Sequence, residues 1–331
     1  MKLVTYRPRD MAGQRIGCLL EGGQVFCLTS AFAGDPRFAS MLAFIQAGED
    51  ALRLARASEQ KAGPDSPFVQ AAAGVQLLAP LPNPPLMRDW GTMVEHPTFF
   101  LKMRAEKKAQ ASPDPEAAMA AARAEGLLEL PANWFTVPRY YVANPLNVTG
   151  PDAVIEWPDF ASVLDYELEV AIVLGRGGRD IQKQDARSHM LGLMLFNDFT
   201  ARDVQAAEGQ PSGKSKEFDG SYAIGPSIVT LDELPDLYAV TVRSRLNGEV
   251  QTVDSTASMK ISFEDLIVHA SRSSTLHAGE VFASGTFARG CGVETGRTLR
   301  PGDVIELEAD GIGCLRNLIR DQAATGSALR P

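Results

Sequence analysis

Asp165-Tyr166-Glu167-Leu168-Glu169-Val170-Ala171-Ile172-Val173-Leu174 alternates with a period of two. Tyr166, Leu168, Val170, Ile172 and Leu174 are apolar, and Asp165, Glu167, Glu169, Ala171 and Val173 fill the other positions. Successive side chains of a strand point to opposite faces. The pattern therefore predicts a strand with Glu167 and Glu169 on one face, their Cα atoms roughly 6.5–7 Å apart. Ala171 and Val173 continue that face, so it is not simply wet. Two carboxylates side by side in a partly dry place repel, and one takes up a proton unless a cation intervenes. A hard divalent cation with oxygen ligands resolves the conflict. The bland alternative is an edge strand with a solvated face, and this segment alone leaves both open.

The chain around it falls into two textures. In residues 1–80, short strands are expected at Leu3–Tyr6, Gly17–Glu21, Gln24–Leu28 and Val75–Leu81, with Gly22-Gly23 as a two-residue hairpin turn. Apolar spacing predicts one helix over Phe38–Ala57, and Gly63-Pro64 marks a loop. Ala, Lys and Glu dominate residues 104–126. There Ser112 is the expected cap of a helix starting at Pro113, read either as a lid or as a peripheral surface helix. From about residue 137, short β-rich runs recur between turns such as Asn247-Gly248, with few helices (Lys183–Leu191, Ala201–Ala207, Phe263–Arg272). The expectation is a mixed α/β but β-dominated fold, with a small N-terminal domain over 1–80 and a larger domain over 81–331.

The net charge of −9 is spread along the chain, and no basic face suited to nucleic acid is visible. No apolar run approaches the roughly 18 residues of a membrane span. MKLVTYRPRD has no apolar signal core, so the protein is expected in the cytoplasm. Cys18, Cys27, Cys291 and Cys314 match no zinc spacing and read as buried or half-buried thiols rather than a catalytic one.

Three further segments carry chemistry. Phe196-Asn197-Asp198 ends an apolar strand, where a side chain is aimed into a site; an N-cap role for Asp198 is the alternative. Arg202 and Asp203 follow and read equally as a surface ion pair. Asp89 and His96 are seven apart, a spacing that returns to one face of a helix, although a lone histidine is more often structural. Gly213-Lys214-Ser215 invites a phosphate-loop reading, but position 208 is Glu208 instead of glycine and no strand precedes it, so ATP binding is rejected.

Together these segments resemble the fumarylacetoacetate hydrolase family. The matching runs are residues 165–171, 197–205, 216–226, Ser284-Gly285-Thr286 and 299–307, in consistent order. The resemblance implies a β-sandwich roll, usually as a homodimer, and a small oxo-acid or diketone substrate. It also implies Mg²⁺, or alternatively Ca²⁺ or Mn²⁺, held by Glu167, Glu169, Asp198 and Asp89. His96, Lys216 and Gln205 take the implied catalytic positions, and Arg202 and Thr286 the substrate-binding ones. Two departures concern the partner of His96. Position 99 is Phe99 where smaller members place a glutamate, and after Ser-Gly-Thr no acid aligns cleanly, which leaves Glu95 and Glu294 as candidates. The leading expectation is a metal-dependent hydrolase cleaving a C–C bond of an acylpyruvate-like 1,3-diketone, in the catabolism of aromatic compounds. Decarboxylation, hydration or isomerisation of a 2-oxo acid is the alternative, and a non-catalytic metal-binding protein the rival of another class.

Overall fold

A computed structural model describes residues 1–63, 65–210 and 212–321; Pro64 of the expected loop and residues 322–331 lie outside them. A twelve-stranded sheet organises the molecule. Ten of its strands form a continuous path: β1 (Lys2–Pro8), β2 (Arg15–Leu20), β3 (Gln24–Cys27), β4 (Val69–Ala71), β5 (Met87–Trp90), β6 (Tyr140–Ala143), β7 (Leu168–Leu174), β8 (Met190–Asp198), β9 (Tyr222–Thr230) and β10 (Val281–Ala283). Their order across the sheet is β4-β3-β2-β1-β9-β8-β7-β10-β5-β6. Residues 1–80 thus extend the sheet that carries β5 to β10, because β1 pairs antiparallel with β9. A five-stranded sheet runs in the order Glu249–Ser255, Thr241–Leu246, Val304–Ala309, Gly313–Arg320, Val154–Glu156. The fold is mixed α/β and β-rich, as the short strands and frequent turns imply.

The quoted strand lies at the centre, hydrogen-bonded to β8 on one side and β10 on the other. Leu168, Val170, Ile172 and Leu174 enter one hydrophobic core, while Ala171 and Val173 enter a second. Both faces are therefore dry, and the solvated-edge reading falls. Asn247-Gly248 is a two-residue turn with positive φ at both residues, as such turns require, whereas the expected Gly22-Gly23 turn is a three-residue connection, because Leu20 pairs with Gln24 and Glu21 joins the two glycines in the loop.

The expected helix over Phe38–Ala57 is two helices, α1 (Met41–Gln46) and α2 (Gly48–Lys61), broken where Gly48 adopts φ +69°. Apolar spacing continues across the break, which is why periodicity alone merged them. Between β5 and β6 run α3 (Glu95–Gln110) and α4 (Pro115–Ala124). The cap of α4 is Asp114, whose carboxylate accepts from Ala117 N at 3.0 Å, with Pro115 at the first position. The start falls two residues later than Ser112-Pro113 because Asp114-Pro115 repeats the same signal. Two short helices complete the frame, α5 (Arg202–Glu208) and α6 (Phe263–Ser271). Among the described residues, no helix is long and apolar enough to cross a membrane.

Candidate active site

The start of β7 and the ends of β5, β8 and β10 meet at one edge of the sheet. Register dictates this: Leu168 faces Asn197, Ala171 faces Ala283, and Ala283 faces Asp89. Side chains from Asp89 to Thr286 are thereby gathered. Asp89 and His96 do not share a helix face; Asp89 belongs to β5 and His96 to the first turn of α3, and the intervening turn brings both to the site. Asp198 is no helix cap, since α5 begins at Arg202.

Asp89, Glu169 and Asp198 are buried, and one oxygen from each lies within 4.8 Å of the others. Glu169 is held by Gly285 N (3.0 Å) and Thr286 Oγ1 (3.2 Å). Gly285 sits at φ +82°, and a Cβ there would lie 2.1 Å from Trp90 O, so only glycine presents its N–H this way. Asp198 Oδ2 accepts from Tyr141 Oη and Lys216 Nζ. Asp89 Oδ1 and Asp198 Oδ1 are buried without a protein partner. Burial, and behind it mutual repulsion, holds all three carboxyls above the usual carboxylate range although Lys216 pulls against it. Orphaned hard oxygens in a dry cluster of carboxyls fit a hard divalent cation.

Glu167 turns toward cationic groups instead. Arg202 Nη2 lies at 2.8 Å, Lys216 Nζ at 2.6 Å and His96 Nε2 at 3.3 Å from its oxygens. Burial opposes its ionisation, but Lys216 and Arg202 outweigh that and hold the carboxyl well below its ordinary value. Arg202 is not a surface ion pair: it is buried, bonded to Asp165 Oδ2 at 2.9 Å and to Gln205 Oε1 at 3.0 Å. Asp203 instead accepts from Ser162 N at 2.8 Å.

His96 Nδ1 lies 2.9 Å from Glu294 Oε2, so of the two candidate partners the structure selects Glu294. Glu95 instead accepts from the adjoining Val94 N–H. Burial disfavours the charged imidazole, but contacts with Cys291, Glu167 and Glu294 prevail and hold its pKa well above the ordinary histidine value. Cys291 Sγ lies 3.3 Å from Glu294 Oε2, and burial pushes the thiol up to about 11, so it stays protonated and serves as a donor. Sequence reasoning had not singled out Tyr141, Cys291 or Asp165 as site members. Only Asp165 had a visible signal, its place beside the Glu-x-Glu pair.

A cavity of about 370 Å³ opens onto these groups. His96, Glu167, Glu169, Arg202, Gln205 and Lys216 line its polar part, and Asp89, Tyr141 and Thr286 join them. Phe100, Leu101 and Arg104 of α3 cover it, whereas no residue of 105–129 does. The segment read as a lid therefore reaches the cavity only at its beginning. Chemically, the arrangement offers oxygen ligands, a carboxylate-oriented imidazole and a buried ammonium around one pocket.

The family description "Fumarylacetoacetate (FAA) hydrolase C-terminal" matches residues 109–320. The mitochondrial oxaloacetate tautomerase fahd2 of Xenopus laevis is 29% identical over 323 residues, 96% of this chain and 89% of that protein. Oxaloacetate tautomerase YisK of Bacillus subtilis is 36% identical over 184 residues, which span 55% of this chain and 61% of that protein. Among solved structures, the fumarylacetoacetate hydrolase of Exiguobacterium antarcticum superposes with a TM-score of 0.70 at 28% identity, covering 97% of this chain and 100% of that one. With the match extending over most of the chain and the ordered motifs gathered at one sheet edge, the chain belongs to the fumarylacetoacetate hydrolase family.

Proposed function

We propose that this protein is a divalent-metal-dependent enzyme that interconverts the enol and keto forms of a 2-oxo acid. The observation that carries the reading is the His96–Glu294 pair set against Lys216 and the carboxylate cluster. Asp89, Glu169 and Asp198 would hold Mg²⁺, and Glu167 would become the fourth ligand by turning one oxygen from Lys216 to the cation. When bound, the cation supplies Lewis-acid polarisation of the 2-oxo acid's oxygens. Glu294 accepts from Nδ1–H, which leaves Nε2 as the proton-exchanging atom. An imidazole kept in its protonated form has a proton available for an enol carbon. Lys216 Nζ, whose N–H groups reach Glu167, Asp198 and Thr200, places its positive charge beside the oxygen that changes between enol and carbonyl, where negative charge develops. Gln205, Arg202 and Thr286 line the pocket and orient the acid. Both named tautomerases support this order of preference, which places isomerisation ahead of hydrolysis.

A second reading is C–C hydrolysis of an acylpyruvate, a product type of aromatic ring breakdown. The same His96–Glu294 pair favours it, because a carboxylate-oriented imidazole also activates water. The two are separated by following the enol absorbance of oxaloacetate with Mg²⁺ and, in parallel, the products formed from an acylpyruvate. Accelerated ketonisation without cleavage is expected; cleavage without ketonisation would install the second reading, and neither activity would sink both. We further propose a leading unit over 1–80 beside a catalytic part over 81–331, a homodimeric assembly and a cytoplasmic location, on sequence texture and family likeness.

Two outcomes concern the cation. Saturating Mg²⁺ at about 100 times its dissociation constant is expected to stabilise the fold by about 2.7 kcal/mol, read as a rise in Tm that Glu169→Gln abolishes. Because the three carboxyls titrate above their usual range, protons compete with the cation. Mg²⁺ affinity should therefore rise with pH through that raised range, with protons released on binding. Calorimetry in buffers of different ionisation enthalpy reads that release directly, and a pH-independent affinity would contradict it.

A further inference from the structure

The glutamate that excludes a phosphate loop has a use of its own. Glu208 closes α5, the helix that opens on Arg202, and its half-buried side chain meets a single 3-10 turn, Lys214–Lys216. The first N–H groups of such a turn find no partner within it. Glu208 Oε1 accepts from Lys214 N at 2.6 Å, and Oε2 accepts from Ser215 N at 3.4 Å and from Ser215 Oγ at 2.7 Å. A charged acceptor makes these bonds stronger than a neutral one would. Gly213 leaves room for the carboxylate, since a Cβ there would lie 2.6 Å from Glu208 Oε1. Lys214 is exposed, with its ammonium bonded to Glu217 O at 2.7 Å and 4.6 Å from the Phe160 ring centre. Lys216 is buried instead, and its ammonium reaches Glu167 Oε2 at 2.6 Å, Thr200 Oγ1 at 2.9 Å and Asp198 Oδ2. A surface turn could be capped by water. Here Ser215 is fully buried and Lys216, next in the chain, lines the cavity, so the anchor lies one residue from the site.

We propose that Glu208 is a positioning residue: by pinning the turn from Gly213 to Lys216 it fixes where the Lys216 ammonium stands. Glu208 does not line the cavity, so it acts through Lys216. This rests on the role given to Lys216 above and adds what holds that charge in place. Lys216 and the cation share Glu167 and Asp198 as acceptors, so a loosened Lys216 competes less for them. Loss of the anchor therefore slows turnover without weakening the hold on the cation.

The test compares the unaltered chain with Glu208→Ala and Glu208→Gln. Tm reports folding, calorimetry gives the Mg²⁺ dissociation constant, and kcat and KM are taken on whichever of oxaloacetate and the acylpyruvate the unaltered chain turns over. A misplacement of about 1 Å can cost about 10²-fold, so Glu208→Ala is expected to lower kcat by about 10- to 100-fold with KM nearly unchanged. Mg²⁺ should bind that variant at least as tightly as the unaltered chain. Glu208→Gln keeps an oxygen for Ser215 Oγ and should lose less. Full kcat in Glu208→Ala, or kcat and Mg²⁺ affinity falling together as a merely structural role would have it, overturns the proposal and leaves the enzymatic reading standing. If Glu208→Ala does not fold, Glu208→Gln decides on the same terms: a lowered kcat with Mg²⁺ affinity intact supports the proposal, and full kcat overturns it. An unaltered chain that turns over neither substrate removes the enzymatic reading and this one with it.

Discussion

Replacing His96 with alanine is expected to lower kcat/KM for ketonisation by about 10²–10⁴-fold, the contribution of a positioned general acid or base. The side chain is 16% exposed and sits in the first turn of α3, so its loss opens little core. The fold should survive, and Tm with the circular dichroism spectrum checks this. Glu294→Gln keeps an acceptor for Nδ1–H but removes the charge that favours the protonated ring. Its effect should be smaller and should shift the pH–rate profile to lower pH, since the imidazole would then give up its proton more readily. A His96→Ala enzyme with undiminished turnover would remove this residue from proton transfer altogether.

The largest stability effect is expected from Asp165→Ala. Asp165 is fully buried and accepts from Arg202 Nε (2.9 Å), Gly292 N (2.7 Å) and Val293 N (3.2 Å). Alanine would leave two backbone donors unpaired and strip Arg202 of one of its two carboxylates. Breaking a buried ion pair from one side costs about 3–5 kcal/mol. The same change frees the turn that carries Glu294, so turnover should fall together with stability. Urea unfolding gives the first quantity and kcat the second. An unchanged midpoint would show that the Asp165–Arg202 pair is energetically idle, and a lowered midpoint with full kcat would show that Glu294 is positioned by something else.

The sheet was legible because its strongest strand alternates without a fault from Tyr166 to Leu174, and both faces proved apolar. Glu169, Asp198 and Asp89 could be gathered in advance because each sits in a short run whose order the family shares. What stayed undecided was contact across long sequence separation. Glu294, offered beside Glu95 as the partner of His96, lies 198 residues from it on a four-residue helix, and no local pattern chooses between the two. Glu167 looked like the twin of Glu169 by alternation. Alternation fixes the face, however, and not the partner: β7 begins at Leu168, so Glu167 sits just before it and meets Arg202 and Lys216. Tyr141 gave no signal, since an aromatic in a β-run is ordinarily packing.

The cover of the cavity comes from one uninterrupted stretch between β5 and β6, whereas the acids beneath it are scattered over three strand ends, those of β5, β7 and β8. The two halves of the pocket are therefore inherited on different terms. Drift among Phe100, Leu101, Leu130, Trp134 and Arg139 can redirect a lineage to new molecules without touching the acids, and one insertion or recombination event is enough to replace the whole wall. His96 limits that freedom. It stands at the threshold of the exchangeable stretch, so diversification is tethered at its first turn and open beyond Pro97. Kin that share the acidic floor should accordingly diverge most sharply in diet just past that proline.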